Sequence, residues 1–154
     1  LAGRADAVRG DARFVARAMA VKIRAICEDP YEKGVRAALN LGHTVGHGIE
    51  QATRFTIGHG DAVAIGMVAV TRIAEKMGVA GAGLADRLAG VLAGLGLPTA
   101  PPPGLDRDAC LRAIRLDKKR AGGVVRFVLP ARVGLVKTGV AVPDDLLREA
   151  LHDA

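Results

Sequence analysis

The chain has 154 residues, half of them hydrophobic, but only three Phe, one Tyr and no Trp, so its core must be built from Ala, Val, Leu and Ile, a mix that favours closely packed helices. The net charge of +6 comes from scattered Lys and Arg with almost no aromatics to stack bases, which argues against nucleic acid and for a small anionic substrate. The longest apolar run, Ala62 to Val70, is about half of a membrane span, and Cys27 and Cys110 show no CxxC spacing and follow no secretory segment. A soluble, cytoplasmic protein with two buried thiols in a reducing compartment is expected.

From about Asp11 to Ile26 apolar and charged positions alternate at helical spacing, and Asp29-Pro30 ends that pattern. A second helix is predicted from Tyr31 or Lys33 to Thr53. The connection Thr56-Ile57-Gly58-His59-Gly60 leads to a third, Ala62 to Met77, with Asp61 near the positive end of its dipole. That helix is apolar nearly all round at first, as a central helix would be. Leu84 to Leu95 is helical, then Gly96-Leu97-Pro98 and Pro101-Pro102-Pro103-Gly104 form a stiff connection to a helix capped by Asp106 and reaching Leu116. After Gly122-Gly123, Val124 to Leu129 and Gly134 to Thr138 are β-prone and separated by Pro130 and Arg132, which predicts a hairpin. Pro143 opens a last helix ending near His152. The expected fold is a single, mainly α domain over residues 1–154 with one small β-hairpin.

A polar stripe interrupts this apolar background. Arg36, Asn40, His43 and His47 fall within about 60° of one another on a helix, and His59 follows between two glycines. Such a concentration of polar groups on a buried helix costs free energy unless a partner pairs with it, and a metal ion and an anionic, hydroxyl-rich ligand are natural partners. His43 and His47 have the i, i+4 spacing of HExxH proteases, but Thr44-Val45-Gly46 between them supplies no glutamate base, so the protease reading fails. Either both ligate a metal, or one joins His59 while the other transfers a proton. Gly42 and Gly46, each costing about 1 kcal/mol inside a helix, point to close packing against the Ala62 to Val70 helix.

The run Arg36-Ala-Ala-Leu-Asn-Leu-Gly-His-Thr-Val-Gly-His47, then His59-Gly-Asp-Ala-Val-Ala-Ile-Gly-Met67, then Asp117-Lys-Lys119 and Val125-Arg-Phe-Val-Leu129, resembles the C-terminal domain of the 3-dehydroquinate synthase family. The resemblance extends from about Lys22 to Val140. It implies a two-domain enzyme in which an N-terminal α/β domain binds NAD and a helical C-terminal domain supplies two zinc histidines, with Co2+ as an alternative metal to Zn2+. His43 and His59 match those ligands, and the third, a glutamate, belongs upstream of Leu1. His47 matches an active-site histidine that does not bind metal. Lys22, Arg36 and Asn40 match substrate-binding positions, Lys22 also among the catalytic groups with His47, and one of Lys118 and Lys119 matches another substrate contact.

The implied reaction is a step of the shikimate pathway, converting 3-deoxy-D-arabino-heptulosonate 7-phosphate to 3-dehydroquinate and phosphate, in an enzyme that is a homodimer when full-length. Zinc would acidify a coordinated hydroxyl, Arg and Lys would hold carboxylate and phosphate, and a neutral imidazole would relay a proton. Two departures stand out: Asp61 replaces the usual Glu, and no glycine-rich strand-turn-helix fingerprint precedes the site. The chain also begins with Leu1, as a fragment or a domain with an upstream partner would. Alone it is expected not to complete the reaction. The alternatives are a related sugar-phosphate cyclase such as 2-deoxy-scyllo-inosose synthase, or a non-catalytic helical domain.

Overall fold

The computed structural model describes residues 11–32, 34–120 and 125–152, with residues 117–120 described by their backbone alone. Six α-helices, a 3-10 segment and an antiparallel hairpin occur among the described residues, the mainly α arrangement that the periodicity implies. Helix α1, Ala12–Glu28, begins at Asp11, whose carboxylate accepts from the Arg13 amide at 2.8 Å. Ala25 is its one buried residue, and Val15, Met19, Ile23 and Ile26 lie exposed. Cys27 is exposed with them, contrary to the expected burial, because little of the body covers this helix; Cys110 is buried as expected.

The predicted helix from Tyr31 or Lys33 to Thr53 is two elements. A 3-10 segment, η1, covers Val35–Asn40, and helix α2 covers His43–Ala52. Between them Leu41 is extended at ψ 123 and Gly42 is left-handed at φ 80, which ends one element and starts the other. The Asp29 carboxylate fixes the start of η1 by accepting from the amides of Gly34 at 2.7 Å and Arg36 at 3.1 Å.

Helix α3, His59–Lys76, is the centre of the molecule, with ten buried residues including Ile65, Val68 and Ile73. It packs against α2, against α4 (Leu84–Gly94), against the hairpin and against α6 (Asp144–Ala150), while α2 packs on α5 (Arg107–Arg120). Val45 and Ile49 of α2, Cys110 and Ile114 of α5, Phe127 and Leu129 of the hairpin, and Leu147 and Leu151 at α6 close one core around α3. Ala64, Val68 and Leu92 form a smaller cluster between α3 and α4. Asp106 caps α5 by accepting from the Ala109 amide at 2.8 Å.

Strands β1 (Arg126–Arg132) and β2 (Leu135–Ala141) pair antiparallel, with Phe127 opposite Val140 and Leu129 opposite Lys137. The sequence pattern stops the first strand at Leu129, whereas β1 runs on through Pro130 to Arg132 and turns at Val133-Gly134. A register shift beside Pro130 and the two-stranded sheet tolerate the missing amide donor. Val124 and Gly122-Gly123 lie outside the described residues. No helix among the described residues is long and apolar enough to cross a membrane.

Candidate metal and substrate site

The histidines meet because α2 and α3 touch backbone to backbone. A Cβ on Gly42 would lie 2.6 Å from the Met67 amide nitrogen, and one on Gly66 would lie 2.2 Å from the Gly42 carbonyl oxygen. Gly46, as expected from its position, also faces the α3 backbone at Val63. Residues with side chains would push the helices apart, and with them His43 and His47 at the start of α2 from His59 at the start of α3.

Three imidazoles from these two helix ends share one small volume. Their ring centroids are 5.4 Å apart for His43 and His59, 5.8 Å for His43 and His47, and 5.8 Å for His47 and His59. The His59 Nδ1 donates to Glu50 Oε1 at 3.1 Å, and the His43 Nδ1 donates to the Leu41 carbonyl oxygen at 3.4 Å. Carbonyl and carboxylate oxygens only accept, so each bond puts the proton on Nδ1 and leaves the Nε2 lone pair of a neutral ring available. Burial holds the His43 imidazole below the usual histidine range; its bond to Leu41 opposes that shift, and the charges of His59 and His47 add to it.

Glu50 was not among the sequence candidates. It is 8% exposed on α2, and its carboxylate, a His47 nitrogen and a His59 nitrogen lie within 4.8 Å of one another. The sequence signal for it is spacing: offsets of 0, 4 and 7 from His43 to His47 to Glu50 line one helical face. Imidazole nitrogens and a carboxylate at this density suit Zn2+ or Co2+. The cluster is open on one side, the His59 side chain being 55% exposed.

Arg36 and Asn40 do not continue the histidine face of a single helix, because the Leu41-Gly42 break puts them on η1. Both are held by Glu32: the Arg36 Nη2 lies 3.8 Å from Glu32 Oε2, and the Asn40 amide donates to Glu32 Oε1. The Arg36 Nη1 also donates to the Pro30 carbonyl at 2.8 Å. Lys22 is exposed on α1, which packs against η1. Lys118 and Lys119 sit in the last turn of α5, with side chains outside the described residues. A separate cleft of about 760 Å³ between η1, α4 and the hairpin is lined by Val35, Leu88, Val91, Pro130 and Leu135 and contains none of the imidazoles. Arg87, Arg132, Thr71 and Thr138 also line it, but no His, Cys, Asp or Glu does, so it offers no metal ligand.

Residues 4–120 match the family model described as 3-dehydroquinate synthase C-terminal. Among curated relatives, the 3-dehydroquinate synthase of Synechococcus sp. is 44% identical over 137 residues, covering 88% of this chain and 37% of that protein. The 3-dehydroquinate synthase of Symbiobacterium thermophilum is 43% identical over 141 residues, covering 91% of this chain and 39% of that protein. The chain therefore spans less than two fifths of their length. Among solved structures, a 2-deoxy-scyllo-inosose synthase complexed with carbaglucose-6-phosphate, NAD+ and Co2+ superposes with a TM-score of 0.81 at 26% identity, over 92% of this chain and 41% of that one. A 2-epi-5-epi-valiolone synthase from Streptomyces hygroscopicus subsp. jinggangensis, with NAD+ and Zn2+ bound, shares the fold with a TM-score of 0.76 at 23% identity, over 92% of this chain and 39% of that one.

Proposed function

We propose, because the chain belongs to the 3-dehydroquinate synthase family, that it is the helical, metal- and substrate-holding half of a 3-dehydroquinate synthase. An N-terminal NAD-binding domain completes the enzyme. The reaction is conversion of 3-deoxy-D-arabino-heptulosonate 7-phosphate to 3-dehydroquinate and phosphate, and the full-length protein is a homodimer. The observation that carries this reading is the convergence of His43, His47 and His59 from two helices, directly preceded by a segment bearing Arg36 and Asn40.

His43 and His59 are the metal pair. Both have an oxygen holding the Nδ1 proton, the arrangement that orients a ligating imidazole and raises the basicity of its other nitrogen. A bound Zn2+ or Co2+ supplies Lewis acidity toward a substrate hydroxyl. His47, exposed beside that pair, is the imidazole that moves protons to and from the substrate. Arg36 presents a planar fork to a carboxylate or phosphate and Asn40 an amide, with Glu32 ordering both before substrate arrives. Lys22 and one of Lys118 and Lys119 complete the anion contacts, and a glutamate of the N-terminal domain completes the metal ligands. The isolated chain is inactive.

The test joins this chain to the N-terminal portion of the Synechococcus relative and follows phosphate release and 3-dehydroquinate formation with NAD+ and Co2+. His47→Ala keeps the metal and loses turnover, whereas His43→Ala and His59→Ala lose the metal. A second reading, a cyclase of a sugar phosphate without a carboxylate, draws on the fold shared with the 2-deoxy-scyllo-inosose synthase. A folded, metal-loaded hybrid that ignores the heptulosonate and turns over glucose 6-phosphate would establish that reading instead.

A further inference from the structure

Glu50 is a carboxylate with no business in a helix interior unless it has a partner. It is almost fully buried between Ile49 and the end of α2, among residues that otherwise close an apolar core. Burying a carboxylate in such a place costs several kcal/mol unless hydrogen bonds or charge compensate it. The partner is the Nδ1 of His59, nine residues on and at the start of the next helix, at 3.1 Å. The bond ties the last turn of α2 to the first residue of α3, two helices that also touch through Gly42 and Gly66.

We infer that Glu50 is a positioning residue: its carboxylate fixes His59 as the Nδ1–H tautomer and points the Nε2 lone pair at the metal position. This rests on the metal assignment proposed above for His59. Three observations support it. Glu50 is far less exposed than the imidazole it holds, with side chains 11% and 55% exposed, so the anchor is fixed and the ring is the part presented to solvent. The second imidazole of the pair, His43, has its Nδ1 held in the same sense by the Leu41 carbonyl. And Glu50 sits on the same helix as His43 and His47, so the anchor of His59 is carried by the element that carries the other two rings.

The competing role for Glu50 is direct ligation together with His47 and His59, whose donor atoms lie within 4.8 Å of one another. The two roles separate in experiment, because a glutamine still accepts the Nδ1 proton through its amide oxygen but is a poor metal ligand. The first measurement needs no metal: ring 15N shifts of the labelled 154-residue chain at about pH 8, where imidazoles are neutral, with the His59 signal identified by its absence in His59→Ala. The expected result is a predominantly Nδ1–H ring in the parent chain and in Glu50→Gln, and a shift toward the Nε2–H form in Glu50→Ala. The second measurement is Co2+ titration by absorbance. Glu50→Ala weakens binding about 10- to 100-fold while Glu50→Gln weakens it less.

A His59 tautomer that does not respond to Glu50→Ala overturns the inference even if the metal binds as proposed. Should Glu50→Ala fail to fold, the near-isosteric Glu50→Gln still decides: loss of Co2+ as complete as in His59→Ala makes Glu50 a ligand and overturns the positioning role. A tautomer that shifts as expected in a chain that binds no Co2+ keeps the positioning role of Glu50 and removes the metal assignment, so the two failures are distinguishable.

Discussion

Replacing Gly66 by alanine should loosen the histidine site from behind. The added Cβ would lie 2.2 Å from the Gly42 carbonyl oxygen and 3.0 Å from the Gly46 amide nitrogen, both backbone atoms that no rotamer change can move. A carbon–oxygen contact settles at about 3.3–3.6 Å, so α2 and α3 must part by about 1 Å. Overpacking of this kind costs about 1–3 kcal/mol, and contact with backbone on two sides puts this case near the top of that range. Alanine returns about 1 kcal/mol of helix propensity, leaving a net loss of about 2 kcal/mol and a Tm lower by about 4–8 °C for a chain of this size. The control is Gly90→Ala in α4, where nothing lies within 4 Å of the added Cβ. There the propensity gain stands alone and the Tm should rise by about 2–4 °C. Circular dichroism melts of the three proteins decide the matter. A Gly66→Ala protein that melts at or above the parent temperature would refute the close-contact reasoning.

In the two-domain hybrid, Arg36→Ala and Asn40→Ala should each lower kcat/KM by orders of magnitude, with metal content by atomic absorption unchanged, since neither is proposed as a ligand; near-normal kinetics for Arg36→Ala would remove the substrate assignment. Of the two free cysteines, exposed Cys27 should react with a disulfide reagent in the native chain and buried Cys110, its thiol pushed up to about 12, only in denaturant, so the titre doubles on unfolding. Because burial lowers the His43 pKa in the folded chain, the unfolded chain binds the proton first as pH falls below about 6.5. Urea midpoints should therefore decline from that pH down through the lowered folded value, and His43→Gln should flatten that part of the profile.

Most elements were legible because their signals are local. Asp11, Asp106 and Pro143 mark helix starts within the segments they open, and the apolar run from Ala62 announces the central helix. The break before α2 was not legible, since a glycine inside a helix and a left-handed glycine ending one look alike in sequence. What decides Gly42 is the backbone of Val63 and Met67, more than twenty residues away. Cys27 failed for a related reason: periodicity reveals that α1 is helical and has apolar stripes, not whether anything covers them. The histidines were found because they stand out of an apolar background. Glu32 and Glu50 are not legible because a glutamate is ordinarily a solvated residue, and only the fold shows one, in the bend before η1, bracing Arg36 and Asn40 and the other buried against His59.

The left-handed turn at Gly42 also divides the labour of the site. Upstream of it, η1 is tied at its start by the Asp29 carboxylate and carries the groups suited to anions; downstream, α2 is locked against α3 and carries the imidazoles. Residues 34–41 thus form an exchangeable cassette with a fastening at each end. Arg36 and Asn40, whose partner is Glu32, can therefore be altered while the contact of α2 with α3 through Gly42 and Gly66 stays in place.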